Sequence, residues 1–174
     1  MHRFVPDEPT STKRSTTMPL TGELARIDDE LRRAYDGECW HGPPLREVLK
    51  GVTAAAAAAK HPQITHSAWA LVNHLAAWVG VVANRITEWR PITEPDAGDF
   101  PPVIDTNEVA WAAALDDLDR QHRKLLGVVA GLDAAKLDAT VPGKPYPVAV
   151  MLHGTAQHYA YHAGQIALLK KLVG

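Results

Sequence analysis

Apolar side chains recur at three- and four-residue steps through most of the chain, the period of an α-helix with one buried face. Such stripes run from about Thr21 to Asp36, His66 to Trp89, Asp105 to Leu132 and Pro147 to Lys171, with a shorter alanine-rich helix expected over Leu45–Ala59. No strand pattern of useful length is present. The pattern therefore predicts an all-α protein, a four-helix bundle with antiparallel main helices.

Prolines, glycines and capping residues mark the expected helix ends. Gly37 ends the first helix, and Thr65 or Ser67 is a candidate N-cap for the second main helix. Asp105, followed by Glu108, resembles a capping box at the start of the third main helix. The stretch 90–103 contains four prolines, so we expect a long crossover connection between main helices 2 and 3.

Composition indicates where the folded domain begins. Residues 1–19 mix proline, serine, threonine and charges without an apolar core, so they are expected to form a disordered N-terminal tail in which Met18 is an alternative start. Residues 20–174 are predicted to form one bundle domain, since single domains usually contain about 50 to 200 residues.

Charge, hydropathy and cysteine count restrict the partners. Lys and Arg number 18 against 20 Asp and Glu, without a large basic block, so nucleic acid is not an expected partner. The apolar runs are shorter than the roughly 20 residues that span a membrane, so no membrane association is expected. A single cysteine, Cys39, is expected to be a buried free thiol, which fits a cytoplasmic location.

His158 and His162 are the first candidate metal ligands. They lie one helical turn apart, about 40° around the axis and about 6 Å along it, so both rings can reach one ion. Nine histidines in 174 residues give roughly 0.5 such pairs by chance, however. The pair alone is weak evidence for a metal site.

His74 strengthens the metal hypothesis because it flanks the apolar stripe of another helix, where an unpaired polar ring is costly. Three neutral imidazoles would leave a divalent ion its charge and an open coordination position, as in catalytic zinc sites. The alternative, a core histidine bonded to a carbonyl or hydroxyl group, stays open for His74.

Other residues are assigned around this candidate site. His122, Tyr161 and Gln165 are candidates for lining the pocket, although each also fits a packing or surface role. His66 and His153 are set aside as ligands. His66 lies about 12 Å along the helix axis from His74, and His153 lies about 140° around the helix from His158.

Several motifs resemble those of the DinB superfamily, specifically its YfiT-like branch of metal-dependent hydrolases. The most specific is Tyr161-His162-Ala163-Gly164-Gln165-Ile166, preceded by His153-Gly154-Thr155-Ala156-Gln157-His158. The others are Trp40-His41-Gly42-Pro43-Pro44-Leu45, Leu49-Lys50-Gly51-Val52-Thr53, Trp111 with Leu115, and His66-Ser67-Ala68-Trp69 leading to Leu71-Val72-Asn73-His74. The resemblance covers nearly everything from about residue 22 onward.

This resemblance implies a four-helix bundle in which His74, His158 and His162 bind nickel, zinc or a similar divalent ion, manganese or iron included. It also implies a thiol-dependent transferase or a hydrolase, acting on a small molecule with a low-molecular-weight thiol such as bacillithiol or mycothiol, and a homodimer. Taken together with this resemblance, the residues make a metal-dependent enzyme that activates a thiol or water the leading hypothesis. A non-catalytic metal- or ligand-binding bundle for stress or sensing is the alternative.

Overall fold

The computed structural model describes residues 20–173, which form six α-helices and one 3-10 helix. In chain order the helices are α1 (Gly22–Asp36), α2 (Leu45–Leu49), α3 (Ala54–Ala58), α4 (Ala68–Thr87), α5 (Glu108–Ala130), the 3-10 helix (Ala134–Asp138) and α6 (Val148–Val173). The described residues contain two isolated β-bridges and no strand. The predicted all-α four-helix bundle is confirmed, with α1, α4, α5 and α6 as its main helices. The predicted tail and Met18 lie outside the described residues.

The directions of the main helices differ from the prediction. Near the start of both α4 and α5, the rings of Trp69 and Trp111 lie 5.0 Å apart, and near their ends Lys124 Nζ donates to Asn84 Oδ1 at 2.6 Å. These two helices are therefore parallel, and residues 88–107 return along the length of the bundle between them. The crossover connection is as predicted, but the expectation that all main helices are antiparallel is wrong.

The remaining pairs complete an up-down-down-up arrangement. His153 on α6 contacts Glu23 and Glu30 on α1, and farther along the same pair the rings of Tyr35 and Tyr159 lie 5.4 Å apart. These contacts advance in the same direction on both helices, so α1 and α6 are parallel. Helix α6 also packs beside α4, and these two helices run in opposite directions. The α4–α6 interface contains the candidate site.

The predicted helix over Leu45–Ala59 is wrong in one respect, because it is two helices. Gly51 has a φ of 72°, a left-handed conformation that glycine adopts without the strain other residues incur. The chain therefore turns after α2, and a new helix begins where Thr53 Oγ1 accepts from Ala56 N at 3.2 Å. Alanine content predicted helix formation here but not the position of the break.

Side chains immediately before α4 and α5 cap the N-termini of these two helices. Ser67 Oγ accepts from Ala70 N at 3.2 Å, which confirms one of the two predicted caps of α4. The predicted cap of α5 is wrong, because Asn107 rather than Asp105 performs it, accepting from Ala110 N at 2.9 Å. Glu108 instead accepts from Ala54 N at 2.9 Å and so connects α5 to the start of α3.

The apolar stripes meet in one core. Ile27, Leu75, Leu118 and Ile166, one from each main helix, are fully buried. Each such side chain contributes about 1.5–3 kcal/mol relative to an exposed one. Cys39 is only half-buried, not buried as expected, and its thiol donates to Arg33 O at 2.8 Å. Within residues 20–173, every helix is too short or too polar to cross a bilayer.

Candidate metal centre

Three imidazole rings converge between α4 and α6. His74 Nε2 lies 3.0 Å from His158 Nε2, which lies 2.8 Å from His162 Nε2. His74 and His162 are buried and His158 is half-buried. One ligand atom from each ring falls within 4.8 Å of the others, a separation that a single metal ion can bridge. The structure thus brings together the three histidines selected from the sequence.

The outer nitrogens of two rings fix the tautomers. His74 Nδ1 donates to the backbone oxygen of Asp99 at 2.7 Å, and His162 Nδ1 donates to Gln165 Oε1 at 2.6 Å. A neutral imidazole with its proton on Nδ1 presents a lone pair at Nε2. Both Nε2 lone pairs therefore point at the same small volume.

This arrangement leaves an excess of acceptors at the centre. His158 can supply a single proton from Nε2, which is too few for two facing lone pairs. A divalent cation would satisfy all three nitrogens at once, and imidazole is a preferred ligand of zinc, nickel and iron. The donor set and its orientation fit a metal ion.

The charge state of His158 and His162 also suits metal binding. Burial, followed by the neighbouring His162 and His74, lowers the pKa of His158 to about 4. Burial is likewise the main cause that lowers the pKa of His162. Neutral imidazoles at pH 7 bind metal without first losing a proton.

The crossover connection supports the ring of His74. Asp99 Oδ1 accepts from Trp78 Nε1 at 2.6 Å and lies 3.2 Å from His74 Nδ1, whose single proton is assigned to the closer backbone oxygen of Asp99. The ring of Phe100 stacks between His66, at 3.7 Å, and His74, at 4.4 Å. Such outer contacts orient a ligand ring and tune its basicity.

A cavity of about 440 Å³ extends from the cluster along the α4–α6 interface. This size is within the range of small-molecule sites. His74 and His158 lie on its wall, and most of the remaining wall is apolar. The other lining residues are Trp78, Val79, Val82 and Arg85 on α4, Val150, Met151, Gly154 and Thr155 on α6, and Asp99 and Tyr146 from the connections.

The other predicted site residues occupy different positions. Gln165 supports His162, while Tyr161 is 64% exposed with its ring 5.0 Å from that of His162. His122 lies in a separate group, where its ring stacks on Tyr35 at 3.8 Å and its Nδ1 lies 3.1 Å from Tyr159 Oη. It lines a different cavity, between α1 and α5.

The two histidines set aside as ligands lie outside the cluster. His66 stacks on Phe100, and His153 has each ring nitrogen 2.7 Å from a carboxylate oxygen, of Glu30 and of Glu23. Within the described chain, the only group of three or more potential ligands close enough to share an ion is His74, His158 and His162.

Sequence reasoning missed Asp99, Phe100 and Arg85. The first two lie in the crossover connection, which has no periodic pattern to indicate where a side chain points. Arg85 did carry a signal, because it is the only charged residue of α4 and lies eleven residues, about three turns, after His74 on the same face. A lone charge on an apolar helix indicates either a polar partner or a ligand.

Comparison with known proteins gives one family. A family model described as the DinB superfamily matches residues 42–166, which include the three histidines, the crossover connection and most of the bundle. No curated protein and no solved structure matches the chain significantly. With most of its length matched, the chain belongs to the DinB superfamily.

Proposed function

We propose that this protein is a metal-dependent enzyme, a thiol-dependent transferase or a hydrolase, with His74, His158 and His162 as the metal ligands. The observation that carries the proposal is the convergence of three Nε2 atoms while the Nδ1 atoms of His74 and His162 are already engaged. When bound there, a divalent ion would retain its full charge and lower the pKa of a coordinated thiol or water.

The chain's own residues position the metal ligands and supply a largely apolar wall beside them. Asp99 and Gln165 hold two of the rings, and the half-buried His158 faces the cavity. The apolar side chains along the wall lower the local polarity beside a reacting group, which strengthens electrostatic interactions there. Asp99, the carboxylate on this wall, is already bonded to Trp78. Such a site suits a nucleophile that needs no separate protein base.

The donor set and the YfiT-like motifs support a choice of metal and of co-substrate. All-nitrogen ligation suits nickel, zinc and iron, of which nickel and zinc bind such sites more tightly than iron(II), whereas manganese prefers oxygen ligands. The motif from Tyr161 to Ile166 supports a place in the YfiT-like branch and, with it, a low-molecular-weight thiol as co-substrate. A homodimer in the cytoplasm is part of the same proposal.

Elemental analysis tests the metal centre. The purified chain should retain a divalent ion in stoichiometric amount, whereas His158→Ala should retain far less. His153→Ala is the matched control, since it removes a histidine from the same helix but outside the cluster. Equal and negligible metal in all three proteins would refute the metal centre.

A turnover assay then separates an enzyme from a binding protein. The nickel- and zinc-loaded chain is incubated with bacillithiol or mycothiol plus an epoxide or haloarene, and separately with activated esters. Product formation that His158→Ala abolishes and His153→Ala preserves supports the enzyme. Tight metal binding without turnover on any substrate would favour the non-catalytic metal- or ligand-binding bundle.

A further inference from the structure

Arg85 is a buried cation without a charged partner among the described residues. It is 3% exposed, and none of the carboxylates in residues 20–173 lies within 4.0 Å of its guanidinium. Its Nε donates to Ile92 O at 2.9 Å, and Nη2 donates to Ile92 O at 2.6 Å and to Thr93 O at 3.3 Å. Carbonyl dipoles offset part of the desolvation cost, but the positive charge remains uncompensated.

The remaining nitrogen of Arg85 is available to a ligand. Nη1 makes no hydrogen bond to any described residue, and it is not among the fully enclosed polar atoms of residues 20–173. Arg85 is also part of the wall of the cavity that begins at the metal centre. A guanidinium in this position can donate to an anion inside the cavity.

The spacing between Arg85 and the metal centre suits a small molecule. Arg85 Cζ lies 5.6 Å from the centre of the Trp78 ring, which lies 6.3 Å from the centre of the His74 ring. The guanidinium is therefore within about 12 Å of the His74 ring. Trp78 forms an aromatic surface between the two polar ends, and Val82 and Met151 add aliphatic wall.

We propose that the substrate is a small carboxylate whose anionic group binds Arg85 and whose apolar body lies on Trp78, with its reactive end at the three histidines. This inference rests on the proposed function for the identity of the reacting end. A carboxylate fits better than a phosphate, because a single guanidinium matches one negative charge, whereas a dianion would be undercompensated and would also be repelled by the Asp99 carboxylate on the same wall.

A purely structural role accounts for only part of these observations. The bonds to Ile92 and Thr93 fix the start of the crossover connection, and an uncharged donor could make them. A buried cation costs more desolvation free energy than such a donor unless an anion is nearby. The ligand carboxylate supplies that anion.

Gly154 allows the cavity to be closed without touching Arg85. It lies on the cavity wall in α6, and a Cβ added there would meet no atom within 4 Å. Gly164, ten residues later on the same helix, is equally open but does not line this cavity. Leucine stabilises a helix interior relative to glycine, so Gly154→Leu and Gly164→Leu should both fold.

Calorimetric titration of the zinc-loaded chain with hexanoate and with its uncharged analogue hexanamide tests the proposal. Hexanoate should bind at least tenfold more tightly than hexanamide. Arg85→Gln should remove this preference without changing zinc content, Gly154→Leu should weaken both ligands, and Gly164→Leu should behave as the parent chain. Equal binding of the two ligands, or unchanged hexanoate binding by a folded Arg85→Gln, would overturn the carboxylate site.

The same titration on His158→Ala separates this inference from the metal centre. If hexanoate binding depends on Arg85 in both proteins, the carboxylate site holds whether or not the chain retains metal. If hexanoate binding is lost in His158→Ala but unaffected in Arg85→Gln, its carboxylate binds the metal and the proposed orientation is wrong. Zinc content, measured on each variant, reports separately on the metal centre.

Discussion

The Oε1 of Gln165 lies 2.6 Å from the Nδ1 of His162, one turn earlier on α6. The amide oxygen can only accept, so this contact keeps the proton of His162 on the outer nitrogen and its lone pair toward His74 and His158. Because both residues belong to one rigid helix, the ring is oriented locally. His74 differs in this respect, since its acceptor comes from the crossover connection.

Replacing Gln165 should therefore weaken metal binding without removing a ligand. Loss of such an outer hydrogen bond typically costs 10- to 100-fold in metal affinity, and we expect Gln165→Leu to fall in that range. Gln165→Glu retains an acceptor and should bind at least as well as the parent chain. Competition with a chromogenic chelator measures the affinities, and Gln157→Leu, an exposed glutamine on the same helix, is the control. Unchanged affinity in Gln165→Leu would show that the contact does not orient His162.

Lys170 should stabilise the short helix α2. Its Nζ donates to Val48 O at 2.6 Å and to Lys50 O at 3.3 Å, carbonyls at the end of a five-residue helix with few internal hydrogen bonds. Lys170→Met should lower the free energy of unfolding by about 1 kcal/mol. Lys171→Met, the exposed neighbour, should change it by less than about 0.5 kcal/mol. Urea denaturation compares the two, and equal effects would contradict the capping role.

His122 should make stability fall in mild acid. Burial lowers its pKa from 6.5 to about 4, so between pH 6.5 and about pH 4 the unfolded chain binds a proton at this residue that the folded chain does not bind. The part of the free energy of unfolding that depends on a neutral His122 is fully present above pH 6.5. It is lost as the pH falls toward 4, by about 3 kcal/mol at most. Unfolding free energies of the parent chain and His122→Asn, measured between about pH 7 and pH 4, should show a smaller decrease in the variant. Parallel curves would refute the assignment.

His153 should act in the opposite direction. Its hydrogen bond to Glu30, followed by that to Glu23, raises its pKa, and a ring bonded to two carboxylates through both nitrogens is protonated. Its stabilising effect is present below the unfolded pKa of about 6.5 and is lost as the pH rises through the folded value. His153→Gln should lower the thermal midpoint at about pH 6 more than at about pH 9. His41→Gln, an exposed loop histidine, should show no such difference.

The bundle was predictable because apolar stripes identify helices wherever one face is buried. Leu75, Leu118 and Ile166 lie on those stripes and are fully buried. Helix direction was not predictable, since a stripe reads the same whichever way its helix runs in the bundle. The break at Gly51 was missed for a related reason, because local helix propensity does not specify where the chain must turn to cover the core.

The residues of the candidate site were likewise predictable only in part. His158 and His162 are linked by spacing on one helix, and Gln165 lies within the same turn, so all three were accessible to sequence reasoning. His74 entered through its position beside an apolar stripe. Asp99 was not accessible, because its contact with His74 spans 25 residues and depends on how a connection without regular structure settles on α4.

Phe100, in the crossover connection, stacks between His66 and His74 and so places the connection in direct contact with a candidate metal ligand. If a bound ion favours the docked connection by some factor, docking must favour the ion by the same factor, because the two equilibria form a closed thermodynamic cycle. Exchange of the backbone amides of Asp99, Phe100 and Val103 with solvent would then report metal occupancy; Pro101 and Pro102 between them carry no amide proton. The stability of the docked connection between the parallel helices α4 and α5 would in this way depend on metal occupancy of the site.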